Sequence, residues 1–113
     1  METIGKLRET LIEYLRKYAK EKPINPDEGV SFQIIIDQER GHYQLMRVGW
    51  FQGRYIHNCL IHFNIRNEKV WIMQNNTEKL VADELIQLGL VKSDIVLGFR
   101  PKEVRQYTGF AEA

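Results

Sequence analysis

Residues 42–65 read HYQLMRVGWFQGRYIHNCLIHFNI, and this stretch decides the fold. Apolar and aromatic side chains alternate with polar ones on both sides of a central Phe51-Gln52-Gly53 segment. Because successive side chains of a strand point to opposite faces, this period of two predicts β-strands at residues 42–50 and 54–65, joined by a tight turn. The expected faces carry Gln44, Met46, Val48 and Trp50 on the first strand, and Tyr55, His57, Cys59, Ile61, Phe63 and Ile65 on the second.

Two further strands are predicted on either side of this hairpin. Residues 30–37 are rich in Ile and Phe and precede a polar turn at 38–41, whereas residues 69–74 (KVWIMQ) follow a turn at Arg66-Asn67. Short turns between consecutive strands make neighbouring strands antiparallel. The sequence therefore predicts an antiparallel four-strand meander.

Helices are predicted before and after the meander. Apolar residues spaced by three and four from Ile4 to Ala19 form one helical stripe, which Pro23 and Pro26 bring to an end. A second helix is predicted at about 77–88, with Asn75 as N-cap and Glu78 completing a capping box. Within it, Glu84 falls among the apolar inner residues, and Gly89 sits where a left-handed C-terminal cap belongs. The fold class expected is α+β, with both helices covering one face of the sheet.

The remainder of the chain is less regular. Residues 95–99 form an apolar run that is too short to classify by period, and residues 101–107 fit one or two helical turns. Phe99 and Phe110 stand at the two ends of a mostly polar segment, so we expect both to anchor the C-terminal tail on the core.

Length and composition place limits on the protein. With 113 residues, of which 43% are hydrophobic, we expect one domain spanning 1–113. A lone cysteine, Cys59, allows no internal disulfide, and no apolar run is long enough to span a membrane. A cytoplasmic location is the natural expectation, with no role in the membrane.

Ionisable residues do not assemble a recognisable reactive site. His57 and Cys59 share a predicted face, but two ligands do not make a zinc site, and His57 and His62 point to opposite faces if their strand is regular. No phosphate-binding loop, nucleophile elbow or metalloprotease helix occurs in the sequence. We expect no catalytic residue, no metal and no cofactor, and therefore no enzyme.

Basic residues cluster at the end of the first helix, at Arg16, Lys17, Lys20 and Lys22. Two interpretations apply: a weak nucleic-acid patch, or cations placed favourably at the negative end of the helix dipole. The second is favoured because the net charge is only +1, with 16 basic and 15 acidic residues.

Aromatic and arginine side chains are the better candidates for binding a protein partner. Trp50 and Trp71 are of the type that dominates interfaces, and Arg100 and Arg105 could bind carboxylates or phosphates of a partner. The sheet has two edges and no proline within its strands, so we also expect a homodimer.

Several clusters in a fixed order carry a family resemblance. They are Val48-Gly49-Trp50, Cys59-Leu60-Ile61-His62, Lys69-Val70-Trp71-Ile72, Thr77-Glu78, Asp94-Ile95-Val96-Leu97-Gly98-Phe99, Val104-Arg105 and Thr108-Gly109-Phe110-Ala111. Together they resemble the XisI family, the cyanobacterial controlling factors for excision of the fdxN DNA element. The departures, Asn75-Asn76 and Gly89-Leu90-Val91, lie in turns.

The resemblance implies an accessory role. Proteins of this family act beside a site-specific recombinase and an XisH-like companion whose fold resembles restriction endonucleases, and the family defines no catalytic residue. Two classes stay open: a regulator that acts through its companion and touches DNA only indirectly, or a direct DNA-binding excision factor. A third possibility is an inhibitor of the nuclease-like companion in another two-gene module. The near-neutral charge favours the first class.

Overall fold

A computed structural model describes residues 2–21 and 29–113, so the predicted loop with Pro23 and Pro26, and Lys22 of the basic patch, lie outside the described residues. The elements in chain order are α1 (Glu2–Glu21), β1 (Val30–Asp37), β2 (His42–Phe51), β3 (Arg54–Arg66), β4 (Lys69–Asn75), α2 (Val81–Gln87), a 3-10 turn (Lys92–Asp94), β5 (Ile95–Leu97) and α3 (Lys102–Arg105).

The strands form one sheet in the order β1-β2-β3-β4-β5. The four predicted strands pair antiparallel, but β5 adds a fifth strand that runs parallel to β4, with Val96 opposite Trp71. The prediction of a four-strand, wholly antiparallel sheet is therefore incomplete. The connection through α2 crosses over and returns the chain in the same direction as β4, which a three-residue run cannot reveal from its own period.

One face of the sheet is covered by α1 and α2. The stripe predicted on α1 is confirmed for Leu7, Leu11 and Leu15, all of them buried, and Val81 and Leu85 of α2 join the same core. These side chains pack against Tyr43, Leu45, Phe63 and other inward residues of the sheet. Neither α1 nor any shorter helix in the described part of the chain is long and apolar enough to cross a membrane.

The second helix begins four residues later than predicted. Asn75 does not cap it: its Oδ1 accepts the backbone N–H of Thr77 at 3.1 Å and its Nδ2 donates to the Lys79 carbonyl at 2.9 Å. These local bonds hold residues 75–79 in a turn, and α2 starts after Leu80 with no side-chain cap. The C-terminal prediction is confirmed, because Gly89 has a φ of +113° and the Leu90 N–H donates to the Leu85 carbonyl.

The C-terminal tail is held on the β5 side of the sheet. Phe110 packs against the core as predicted, but Phe99 is 44% exposed and does not. The Ala111 N–H donates to the Ile95 carbonyl at 2.8 Å, and Lys69 donates to the carbonyl of Ala113. Phe110 and the backbone bond of Ala111 therefore anchor the tail, and Phe99 does not.

Candidate partner-binding surface

The face of β1–β3 that points away from the helices is left uncovered by every described element, and we call it the open face. Tyr43 and Leu45 of β2 are fully buried on the helix side. By alternation, the other β2 side chains form the open face, which confirms the predicted grouping of Gln44, Met46, Val48 and Trp50. The remaining side chains of the open face are His42 from β2, Ser31, Gln33, Ile35 and Asp37 from β1, and Tyr55, His57, Cys59, His62, Asn64 and Arg66 from β3.

The face predicted for β3 is wrong in one respect, because the strand contains a β-bulge. Leu45 pairs with Ile61 but the next residue, Met46, pairs with Cys59, so Leu60 is the extra residue. Leu60 and Ile61 both lie in the core. The bulge therefore turns Tyr55, His57 and Cys59 to the open face while Ile61, Phe63 and Ile65 face the helices. The signal in the sequence is the adjacent apolar pair Leu60-Ile61 within an otherwise alternating strand.

At one end of the open face three rings form what we call the aromatic ladder, consisting of Trp50, Tyr55 and His57. Trp50 and Tyr55 lie directly opposite each other, with ring centroids 5.2 Å apart, and Tyr55 stacks on His57 at 6.2 Å. Trp50 is 60% exposed and Tyr55 57% exposed. Large, rigid aromatic side chains at the surface are the type of anchor that buries well in a protein interface.

The other end of the open face carries a histidine pair that the sequence does not predict. His42 Nδ1 and His62 Nε2 lie 3.0 Å apart and share a hydrogen bond. The pKa of His62 is lower than its ordinary value. The main cause is burial of the ring, and the neighbouring His42 lowers the pKa further. The bulge makes this contact possible, because it places His62 on the open face, opposite Gln44 and beside His42.

Cys59 lies between the ladder and the histidine pair. Its Sγ donates to the Ile61 carbonyl at 3.3 Å, and burial raises the pKa of the thiol. The thiol therefore stays protonated at neutral pH and is a poor nucleophile. No three His, Cys, Asp or Glu side chains among residues 2–21 and 29–113 are grouped to hold a metal ion.

Two of the four residues predicted to bind a partner are engaged within the chain. Trp71 is only 8% exposed, with the guanidinium carbon of Arg66 4.1 Å and that of Arg105 5.0 Å from its ring centre. Arg105 also donates to the carbonyls of Arg100 and Glu112. Trp71 and Arg105 thus fasten the C-terminal segment to the sheet, whereas Trp50 and Arg100 remain at the surface.

The predicted basic patch is interleaved with acids. Arg16, Lys17 and Lys20 line a shallow depression on α1 together with Glu9 and Glu13. Lys17 also lies 3.9 Å from Glu21 in an i,i+4 ion pair. The acids reduce the positive potential that phosphates would need.

A polar contact between the helices explains why Glu84 stands among apolar neighbours of α2. The Tyr14 hydroxyl donates to Glu84 Oε1 at 2.5 Å, and Lys79 lies within 4 Å of both Glu84 and Glu21. Burial and the bond to Glu84 raise the pKa of Tyr14 well above its ordinary value. The group is a satisfied polar contact that ties α1 to α2, and it has no counterpart on the open face.

Comparison with known proteins adds three findings. The family model described as XisI protein matches residues 1–112. The crystal structure of a XisI-like protein from Anabaena variabilis ATCC 29413 is 39% identical, with a TM-score of 0.89 and coverage of 97% of this chain and 99% of that one. The crystal structure of the fdxN element excision controlling factor XisI from the same organism is 30% identical, with a TM-score of 0.81 and coverage of 98% and 99%. No curated protein matches the chain.

Proposed function

Because the chain belongs to the XisI family, we propose that it is a non-enzymatic accessory protein of programmed DNA excision that acts through protein partners. The partners are an XisH-like companion and, with it, a site-specific recombinase. The observation that carries the proposal is the open face with its aromatic ladder, which has the chemistry of a protein-binding surface.

Only two of the fifteen side chains of the open face, Asp37 and Arg66, are Lys, Arg, Asp or Glu, and both lie at the end of the face that is far from the aromatic ladder. Depletion of charge together with exposed aromatic residues is typical of the centre of protein interfaces. Trp50 and Tyr55 supply the anchors, and Gln33, Gln44 and His57 supply polar hydrogen-bonding groups around them. A duplex DNA backbone would instead require several cations facing the phosphates.

The alternative of direct DNA binding depends on the α1 patch. Three described cations of that patch, Arg16, Lys17 and Lys20, lie among Glu9, Glu13 and Glu21, so the net local charge is about zero. Binding through this patch should be weak and should disappear as salt rises, because few counterions are released.

Fluorescence anisotropy with duplex DNA that spans the recombination junction tests the proposal. The isolated chain should bind with a dissociation constant far weaker than about 10 nM at physiological salt, the range that specific binders reach. Adding the XisH-like companion should produce a complex that contains both proteins. A Lys17→Glu, Lys20→Glu variant, altered only in the α1 patch, should form that complex as well as the parent chain.

Tight, sequence-selective binding by the chain alone, lost in the variant of the α1 patch, would overturn the proposal and support a direct DNA-binding factor. Cleavage of DNA by the companion that stops when this chain is added would support the inhibitor alternative.

A further inference from the structure

The outer edge of β1 is a pairing surface that no other strand in the described part of the chain uses. β1 lies at the end of the strand order and pairs only with β2. Its residues 30–36 read VSFQIII, with no charge and no proline. Proteins normally protect an edge of this length with lysine, proline, a bulge or a covering element.

The backbone of β1 offers its hydrogen-bonding groups to this edge at alternate residues. The Trp50 N–H donates to the Gly29 carbonyl at 3.2 Å, which fixes residues 29, 31, 33 and 35 as those that bond β2. The peptide groups of Val30, Phe32, Ile34 and Ile36 therefore point outward. The side chains of Ile35 and Ile36 are 48% and 40% exposed beside them.

We propose that β1 pairs antiparallel with β1 of a second copy of this chain, in the register centred on Gln33, to form a continuous ten-strand sheet. In this register each of the four outward-pointing residues of one copy faces an outward-pointing residue of the other. The four facing pairs allow about eight backbone hydrogen bonds, two for each pair. It places Phe32 opposite Ile34 of the second copy, and Gln33 opposite its own counterpart, where each side-chain amide can donate and accept.

Charge favours a second copy over a charged partner strand. The paired segment is neutral in both copies, and the first charged residue, Asp37, falls opposite Gly29 of the second copy. Within residues 29–37 no like charges meet across the twofold axis, and the interface is isologous, as in most homodimers. The axis runs perpendicular to the sheet, so both open faces lie on the same side of the dimer. This inference does not depend on the proposed function.

Sedimentation equilibrium of the full chain, with charge-reversal variants at Gln33, tests the inference. Gln33 is an exposed side chain whose amide, among the described residues, bonds Ser31 alone, so Gln33→Glu and Gln33→Lys should keep the parent's circular dichroism spectrum and melting temperature. Each variant places two like charges at the axis and should weaken the dimer at least about tenfold. An equimolar mixture of the two variants should restore association, because opposite charges then meet.

Gln44→Glu is the matched control, since Gln44 lies on the open face one strand away from the edge. It should leave the dimer unchanged. A protein that is still monomeric at about 100 µM, where a stable dimer persists, would overturn the inference. Dimers that resist both Gln33 variants, or that Gln44→Glu disrupts, would also overturn it and would locate self-association on another surface.

Discussion

Replacing Gly49 by alanine should destabilise the protein severely, because at this residue β2 passes unusually close to β1. Gly49 has a φ of +141°, and a Cβ atom added there would lie 2.0 Å from the Gly29 carbonyl oxygen and 2.8 Å from Val30 Cα. The contact is with backbone, so no side chain can rotate away. The unfavourable φ costs about 1–2 kcal/mol, and moving β1 away from β2 to make room for the Cβ costs about 1–3 kcal/mol more. We therefore expect the free energy of unfolding to fall by about 2–5 kcal/mol in total.

Gly53→Ala is the matched control for the steric part of this cost. Gly53 also has a positive φ, +76°, but no atom lies within 4 Å of the position of an added Cβ. Its cost should be the backbone strain alone, about 1–2 kcal/mol. Urea unfolding and thermal melting, followed by circular dichroism, measure both variants. At about 4 °C per kcal/mol, Gly49→Ala should melt about 8–20 °C below the parent. The reasoning is refuted if the two variants melt within about 2 °C of each other.

Two further predictions concern the tail and the histidine pair. Deleting residues 108–113 removes the partial burial of Phe110, for which full burial would contribute roughly 1.5–3 kcal/mol, together with the backbone bond from Ala111 to Ile95, and should lower the melting temperature by up to about 12 °C. An unchanged melting curve would contradict the anchoring role, and Phe99→Ala, at an exposed position, should have a much smaller effect. The pKa of His62 is lower in the folded state than in the unfolded state, so the unfolded state binds the proton more readily and stability should fall as pH drops below about 6.5. In urea titrations, His62→Gln should reduce the loss of stability between about pH 7.5 and about pH 5.5, roughly one unit either side of the ordinary His pKa. An equal loss in the variant would show that another group titrates.

Local periodicity predicted most of the fold. The alternation in 42–65 locates the β2–β3 hairpin, and the spacing of Leu7, Leu11 and Leu15 locates α1, because each pattern is repeated over two or more turns or strand pairs. The C-terminal cap at Gly89 was also predictable, since few residues other than glycine adopt that conformation.

Features that depend on distant partners were not predictable in the same way. β5 exists because β4 offers an edge and the tail pairs through Ala111, and neither is encoded in residues 95–97 themselves. The start of α2 was misplaced because Asn75 can either cap a helix or close a turn with similar local bonds, and the turn prevails here.

For the candidate site, sequence reasoning identified Trp50 but not its surroundings. A single extra residue, Leu60, reverses the face of half of β3 and thereby brings Tyr55 beside Trp50 on the open face and His62 beside His42. Trp71, similar to Trp50 in its strand context, is buried because the C-terminal segment folds back over it. Whether a strand tryptophan is exposed therefore depends on distant residues: Trp71 is covered by Arg105, roughly a third of the chain further along.

The affinity of the chain for its XisH-like companion, measured by calorimetry for Trp50→Ala and Tyr107→Ala, tests the central claim most directly. Tyr107 is 80% exposed after α3, outside the open face, and so controls for the loss of any exposed aromatic side chain. If the aromatic ladder is the binding surface, Trp50→Ala should weaken binding by about 2 kcal/mol or more, which is about thirtyfold, while Tyr107→Ala leaves it unchanged. Equal affinity for the parent and Trp50→Ala would contradict the claim that the open face binds the partner.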